Sequence, residues 1–136
     1  MSRDNLTTGA VLHYPFLWAS QAARGETAGR KPRPTVVGFR IGGNVLLLFP
    51  VTTLQPDASR VGIEVPDMEK RRAGLDADRR CWIILDEINE DRLDVSVHIE
   101  PDALIGRFSR AFILRVIEIF MSARRRVKIS ATARYQ

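Results

Sequence analysis

Apolar and polar positions along the chain fall into short blocks with two periodicities. Val11 to Trp18 is apolar and aromatic with Pro15 inside it, which predicts an edge or bent strand. Thr35–Arg40 predicts a strand, Gly42-Gly43-Asn44 a tight turn, and Val45–Thr52 an antiparallel return strand. The run Val45-Leu46-Leu47-Leu48-Phe49 does not alternate, so both faces of that strand are expected to be covered. A short strand is expected near Val61–Val65 and a buried one over Arg80–Leu85. Asp94–Ile99 alternates like a half-exposed strand. Near the C-terminus the spacing changes to that of a helix. Ser109 is its candidate cap, and Phe112, Ile113, Val116, Ile117, Phe120 and Met121 form its apolar stripe. Five or six short strands with one amphipathic helix predict a mainly β fold with a C-terminal helix. The expected form is a small, strongly bent antiparallel barrel whose open side the helix closes.

Between the predicted elements lie a long loop at 19–34, with a short helical turn at Ala19–Ala23, and an irregular charged stretch at 66–80, with one turn at Met68–Arg71. Loops as long as the first are uncommon in compact domains and tend to be functional. Residues 1–8 are polar and expected to be loose, 9–121 to form one domain, and 122–136 to be a basic tail.

Length and composition restrict the reading further. A chain of 136 residues favours one core. No apolar run approaches the ~20 residues that cross a bilayer. The lone Cys81 cannot form an internal disulfide, which fits a cytoplasmic setting; its apolar neighbours read as a strand. The net charge of +5 is unevenly spread. The 122–136 segment carries five of the 21 basic residues and no acid, leaving 16 bases against 16 acids in the body. Within the body, 20–40 holds Arg24, Arg30, Lys31, Arg33 and Arg40 against Glu26, whereas 82–102 holds seven acids against Arg92. A local basic patch can recruit a polyanion even when the body as a whole is neutral. Arg124, Arg125 and Arg126 have a structural reading as well, since they complement the negative end of the predicted helix.

The two segments with the most chemistry are the basic Gly/Pro loop ending in Arg33-Pro34 and the strand ending in Thr52-Thr53. If their strands pair, a guanidinium and a hydroxyl meet at one end of a sheet, an arrangement suited to holding a phosphodiester. On residue chemistry alone, Arg30, Lys31 and Arg33 also describe a solvated loop, and the threonines an ordinary strand end. Asp86-Glu87 likewise describe a strand exit. Trp18 reads as a base-stacking platform or as a packed side chain. His13 and His98 read as packing or surface residues, and no His/Cys cluster has metal-ligand spacing.

The order of these motifs resembles the MazF/PemK/Kid family of toxins. The resemblance rests on Gly25-Glu26…Gly29-Arg30-Lys31-Pro32-Arg33-Pro34, on Pro50-Val51-Thr52-Thr53 and on Cys81–Glu87, and it covers roughly residues 9–121. It implies an SH3-like barrel acting as a cytoplasmic homodimer that cleaves single-stranded RNA without a metal or other cofactor and is held in check by an acidic antitoxin. Arg33 and Thr52 are the implied catalytic pair. Glu26, Thr53 and Asp86 are supporting assignments, with Glu26 the nearest candidate base in sequence and Asp86 the second, and Arg30 and Lys31 are in supporting or RNA-binding roles. The chain departs from the family at Ile84, where some members carry an arginine, and at Ala10 after Gly9; its first loop is also longer. The change at Ile84 favours the alternative of a non-catalytic binding module on the same fold, as in the gyrase-trapping CcdB relatives, or of a degenerate toxin with a regulatory role.

Overall fold

The sheet is organised around one hairpin. In the computed structural model, which describes residues 3–135, β2 (Arg33–Ile41) and β3 (Val45–Thr52) pair antiparallel. Gly42 and Gly43 turn the chain between them at φ of 61° and 75°, left-handed values that glycine adopts without a Cβ penalty. The register shifts once, between Val37 and Phe39. Beyond β2 lie β1 (Ala10–Tyr14) and then β7 (Leu104–Arg107), both antiparallel.

On its other edge β3 is shared. Val45–Leu48 pair with β6 (Glu87–Arg92), while Val51 and Thr52 pair with β5 (Trp82–Ile84), which in turn pairs with β4 (Gly62–Glu64). The last strand, β8 (Ser130–Ala133), runs parallel to β6. Short helices α1 (Ala19–Ala23) and α2 (Asp67–Arg72) lie in the connections, and α3 (Arg110–Ala123) is the long one. The architecture is therefore a mainly antiparallel β-sheet with a helix in the C-terminal region. The strand order β4-β5-β3-β2-β1-β7, with β6 and β8 branching from β3, does not close into a ring among the described residues.

Alternation along the central strands gives the sheet two apolar faces, as the unbroken run at Val45–Phe49 requires. Val11, Val36, Phe49, Val51 and Ile83 face one way and pack under Phe112, Ile113, Val116 and Phe120 of α3. Leu12, Tyr14, Val37, Leu46 and Leu48 face the other way, against Leu6, Phe16 and Ile99. Burying side chains of this size contributes about 1.5–3 kcal/mol each. Phe120 meets Phe49 edge-on at 5.1 Å, fixing the helix over the hairpin. Ser109 caps α3, its Oγ accepting from Phe112 N–H at 3.2 Å, and Glu69 of α2 accepts from both the Ser109 N–H and its hydroxyl.

Three expectations are corrected. Asp94–Ile99 is a turn and an irregular segment; the strand precedes it, at β6, where Asn89 and Asp91 are fully buried. Residues 3–8 are not loose: Leu6 is buried, and Arg3 donates to the Leu93 carbonyl at 2.6 Å and the Ile99 carbonyl at 3.2 Å. The 122–136 segment is not a simple tail, because it contains β8 and the buried Arg134.

Candidate nucleic-acid interface

Thr35–Pro50, Val36–Phe49 and Val37–Leu48 are the paired neighbours that end the β2–β3 ladder. Two further steps of the same register bring Arg33 level with Thr52. Period-two alternation puts Arg33 on the face of Val37, and Thr52 on that of Leu48. Val37 and Leu48 share the apolar cluster that lies away from α3, so the helix does not cover this end of the sheet. The two side chains have separate partners. The Arg33 guanidinium lies 5.3 Å from the Trp18 ring centroid, and the Thr52 hydroxyl accepts from Leu54 N–H at 3.1 Å. Among the described residues no hydrogen bond links them. Partial burial lowers the Arg33 pKa, yet a guanidinium stays charged at neutral pH.

Around Arg33 the chain forms a cleft of about 420 Å³ lined by Phe16, Trp18, Gln21, Arg30, Lys31 and Arg33. Three cations therefore line one cleft with an aromatic wall, and of them Arg33 stacks on Trp18. The wall is fixed from behind, with Phe16 edge-on to Trp18 at 5.1 Å. The acids predicted from the sequence lie elsewhere. Glu26 faces a separate cleft of about 630 Å³ with Thr27, Ala28, His98 and Arg134. It is ion-paired to Arg30 at 3.3 Å and Arg24 at 3.6 Å, and its hydrogen bonds from Arg30 hold its carboxyl below the usual range. Such a carboxylate is a weaker base than a free one.

Asp86 is clamped by Arg60, whose Nε and Nη2 donate to its two oxygens at 3.0 and 2.8 Å. The same guanidinium reaches Glu87 at 2.8 Å, and Glu87 accepts from Ala19 N–H at 2.8 Å. This chain of bonds ties the start of β6 to the backbone beside Trp18. Arg60 carried no sequence signal; it follows an ordinary Pro-Asp-Ala-Ser turn. Thr53 accepts from Arg79 Nη2 at 3.2 Å, so Arg79 is a further cation at this end of the sheet that sequence reading missed.

The basic loop is held from below by Arg134. Its Nη1 donates to the Pro15 carbonyl at 2.7 Å and to Asn89 Oδ1 at 2.9 Å, and its Nη2 to the Ala28 carbonyl at 3.0 Å. Asn89 in turn exchanges bonds with both backbone groups of Leu17. His98 lies 3.5 Å from Arg134, and burial followed by that cation lowers its pKa. Gly29 completes the arrangement. Its φ is 75°, and a Cβ there would sit 2.3 Å from the Pro15 carbonyl oxygen. Gly29→Ala is therefore expected to cost about 1–3 kcal/mol and to loosen the segment that carries Arg30 to Arg33. Urea denaturation together with trypsin cleavage after Arg30 would check this, and an unchanged midpoint and cleavage rate would refute it.

No protein-family model matches the chain, and a search of curated proteins finds no match. Among the described residues, no helix is long and apolar enough to cross a membrane.

Proposed function

We propose that this protein is a toxin-like endoribonuclease of the MazF/PemK/Kid kind, binding single-stranded RNA across the Trp18–Arg33 end of its sheet. The observation that carries this reading is the cleft that Arg30, Lys31 and Arg33 share with Trp18, on which Arg33 stacks, beside the strand end that bears Thr52. The finer fold assignment, an SH3-like barrel, draws support from the way β3 is shared among β2, β5 and β6. The remaining parts of the proposal are a homodimer in the cytoplasm and an acidic antitoxin whose carboxylates neutralise the basic loop.

In such a reaction the RNA 2′-hydroxyl attacks its own phosphorus. A base removes the hydroxyl proton, a cation stabilises the pentacoordinate phosphorane, and an acid protonates the departing 5′-oxygen. The products are a 2′,3′-cyclic phosphate and a 5′-hydroxyl. Arg33 suits the middle task, because its planar fork can hold two phosphate oxygens. Thr52 orients the phosphate through its hydroxyl, and a base stacked on Trp18 fixes the strand. Glu26 is the proposed base; it lies in the neighbouring cleft paired to both Arg30 and Arg24, and both must turn away before its carboxylate is free to accept the proton.

A second reading, a non-catalytic binding module that traps RNA or a protein such as gyrase, is favoured by one specific observation: both carried-over acids, Glu26 and Asp86, are engaged by arginines. The deciding experiment incubates the purified protein with single-stranded RNA, with and without a chelator. Cyclic-phosphate ends that survive chelation support the nuclease. RNA retained but intact supports the binding module, and RNA neither retained nor cut removes the nucleic-acid reading.

A further inference from the structure

We propose that Arg79 is a second phosphate-contacting residue, so that a nucleic-acid strand held at Arg33 continues over Thr52 and Thr53 to the loop before β5; this rests on the nucleic-acid reading above. The first support is the row of residues at this end of the sheet. Tyr14 opposes Arg33 across β1–β2, Thr52 opposes Trp82 across β3–β5, and Trp82 opposes Glu64 across β4–β5. Neighbouring strands lie about 4.8 Å apart, so Arg33 and the β5 loop stand on either side of the two threonines, separated by little more than two strand spacings.

The second support is a contrast between adjacent arginines. Arg80 donates to both carboxylate oxygens of Glu64 at 2.8 Å and stacks on Trp82 at 4.9 Å, so its charge is answered within the protein. Arg79 has a neutral partner instead, the Thr53 hydroxyl at 3.2 Å, and no carboxylate lies within ion-pair distance of it among the described residues. The acids nearest to it in sequence are Asp76 and Asp78, and the Asp76 carboxylate is occupied by the Asp78 N–H at 2.9 Å.

The third support is that the backbone carrying Arg79 is already fixed. Lys70, buried and ion-paired to Asp67 at 3.0 Å, donates its ammonium to the carbonyls of Arg79 at 3.0 Å and Ala77 at 3.2 Å. A guanidinium with an unspent charge, on an ordered loop and beside a hydroxyl, presents the same pair of groups as Arg33 and Thr52. Both match the oxygens of a phosphodiester. Two such pairs on one sheet end suit successive phosphates of an extended single strand, whereas one pair would hold only an isolated anion.

The test measures binding of a short mixed-sequence oligonucleotide with 2′-O-methyl groups, which cannot be cleaved by 2′-attack, by fluorescence anisotropy over a range of salt concentrations. For a single strand, removing one phosphate-binding cation reduces the slope of log affinity against log salt by about 0.7. Arg79→Ala is expected to show that reduction, and Arg80→Ala to keep the wild-type slope. A wild-type slope in Arg79→Ala would overturn the assignment, as would equal reductions in both variants. Wild-type protein that fails to bind the oligonucleotide would instead overturn the nucleic-acid reading and take this inference down with it. Among the described residues the only hydrogen bond of the Arg79 side chain is the exposed one to Thr53, so its removal is expected to leave the melting temperature unchanged.

Discussion

Replacing Arg33 with alanine is expected to lower RNA cleavage by about 10²–10³-fold, the loss that follows removal of one preorganised donor from a developing oxyanion. The fold is expected to survive. Arg33 sits at the first position of β2 and packs its guanidinium on Trp18, a contact worth about 1 kcal/mol or less at a partly exposed site. Circular dichroism and melting of the variant should therefore stay close to wild type while turnover collapses. Arg33→Lys separates charge from geometry: the ammonium keeps the positive potential but cannot offer two parallel N–H groups. An intermediate rate for lysine supports bidentate phosphate contact. Equal rates for wild type, lysine and alanine would exclude Arg33 from the reaction.

The parts of this protein that sequence reading recovered are those held by apolar periodicity. The Gly42-Gly43-Asn44 hairpin and the helical stripe from Phe112 to Phe120 are visible because burial repeats at fixed intervals. β6 was not legible, because Glu87–Arg92 reads as polar although Asn89 and Asp91 are buried. Their partners come from far along the chain: Tyr14 donates to Asp91 at 2.7 Å, and Arg134 donates to Asn89. No local pattern announces such a pairing. The candidate site divides in the same way. That Arg33 and the two threonines share one sheet end was legible from the hairpin, but counting about the turn sets Arg33 level with Thr53, and only the register shift between Val37 and Phe39 brings it level with Thr52. The Trp18 stack on Arg33, the Arg60 clamp on Asp86 and the Arg79 bond to Thr53 depend on how loops fold back, and that information is not contained in spacing.

Arg134→Ala is expected to have the largest effect on stability, about 3 kcal/mol, which for a chain of this size lowers the melting temperature by roughly 10 °C. The residue is 6 % exposed, and its guanidinium joins three separated segments: Pro15, Thr27-Ala28 and Asn89. Truncation leaves the Pro15 and Ala28 carbonyls without that donor and Asn89 Oδ1 with the Leu17 N–H alone, and a buried polar atom deprived of its partner costs more than the bond itself was worth. It also removes the tie between β8 and the 15–28 segment, so the loop carrying Glu26 to Arg33 should open. Trypsin then reports the second effect independently of the first. Cleavage after Arg24 and Arg30 is expected to accelerate in native conditions, whereas the bonds after Lys31 and Arg33 are followed by proline and resist the enzyme. Arg134→Lys keeps the charge but cannot span the Pro15 and Ala28 carbonyls together with Asn89, so it should recover only part of the stability. A melting temperature unchanged in Arg134→Ala would mean that the C-terminal strand does not hold the basic loop in place.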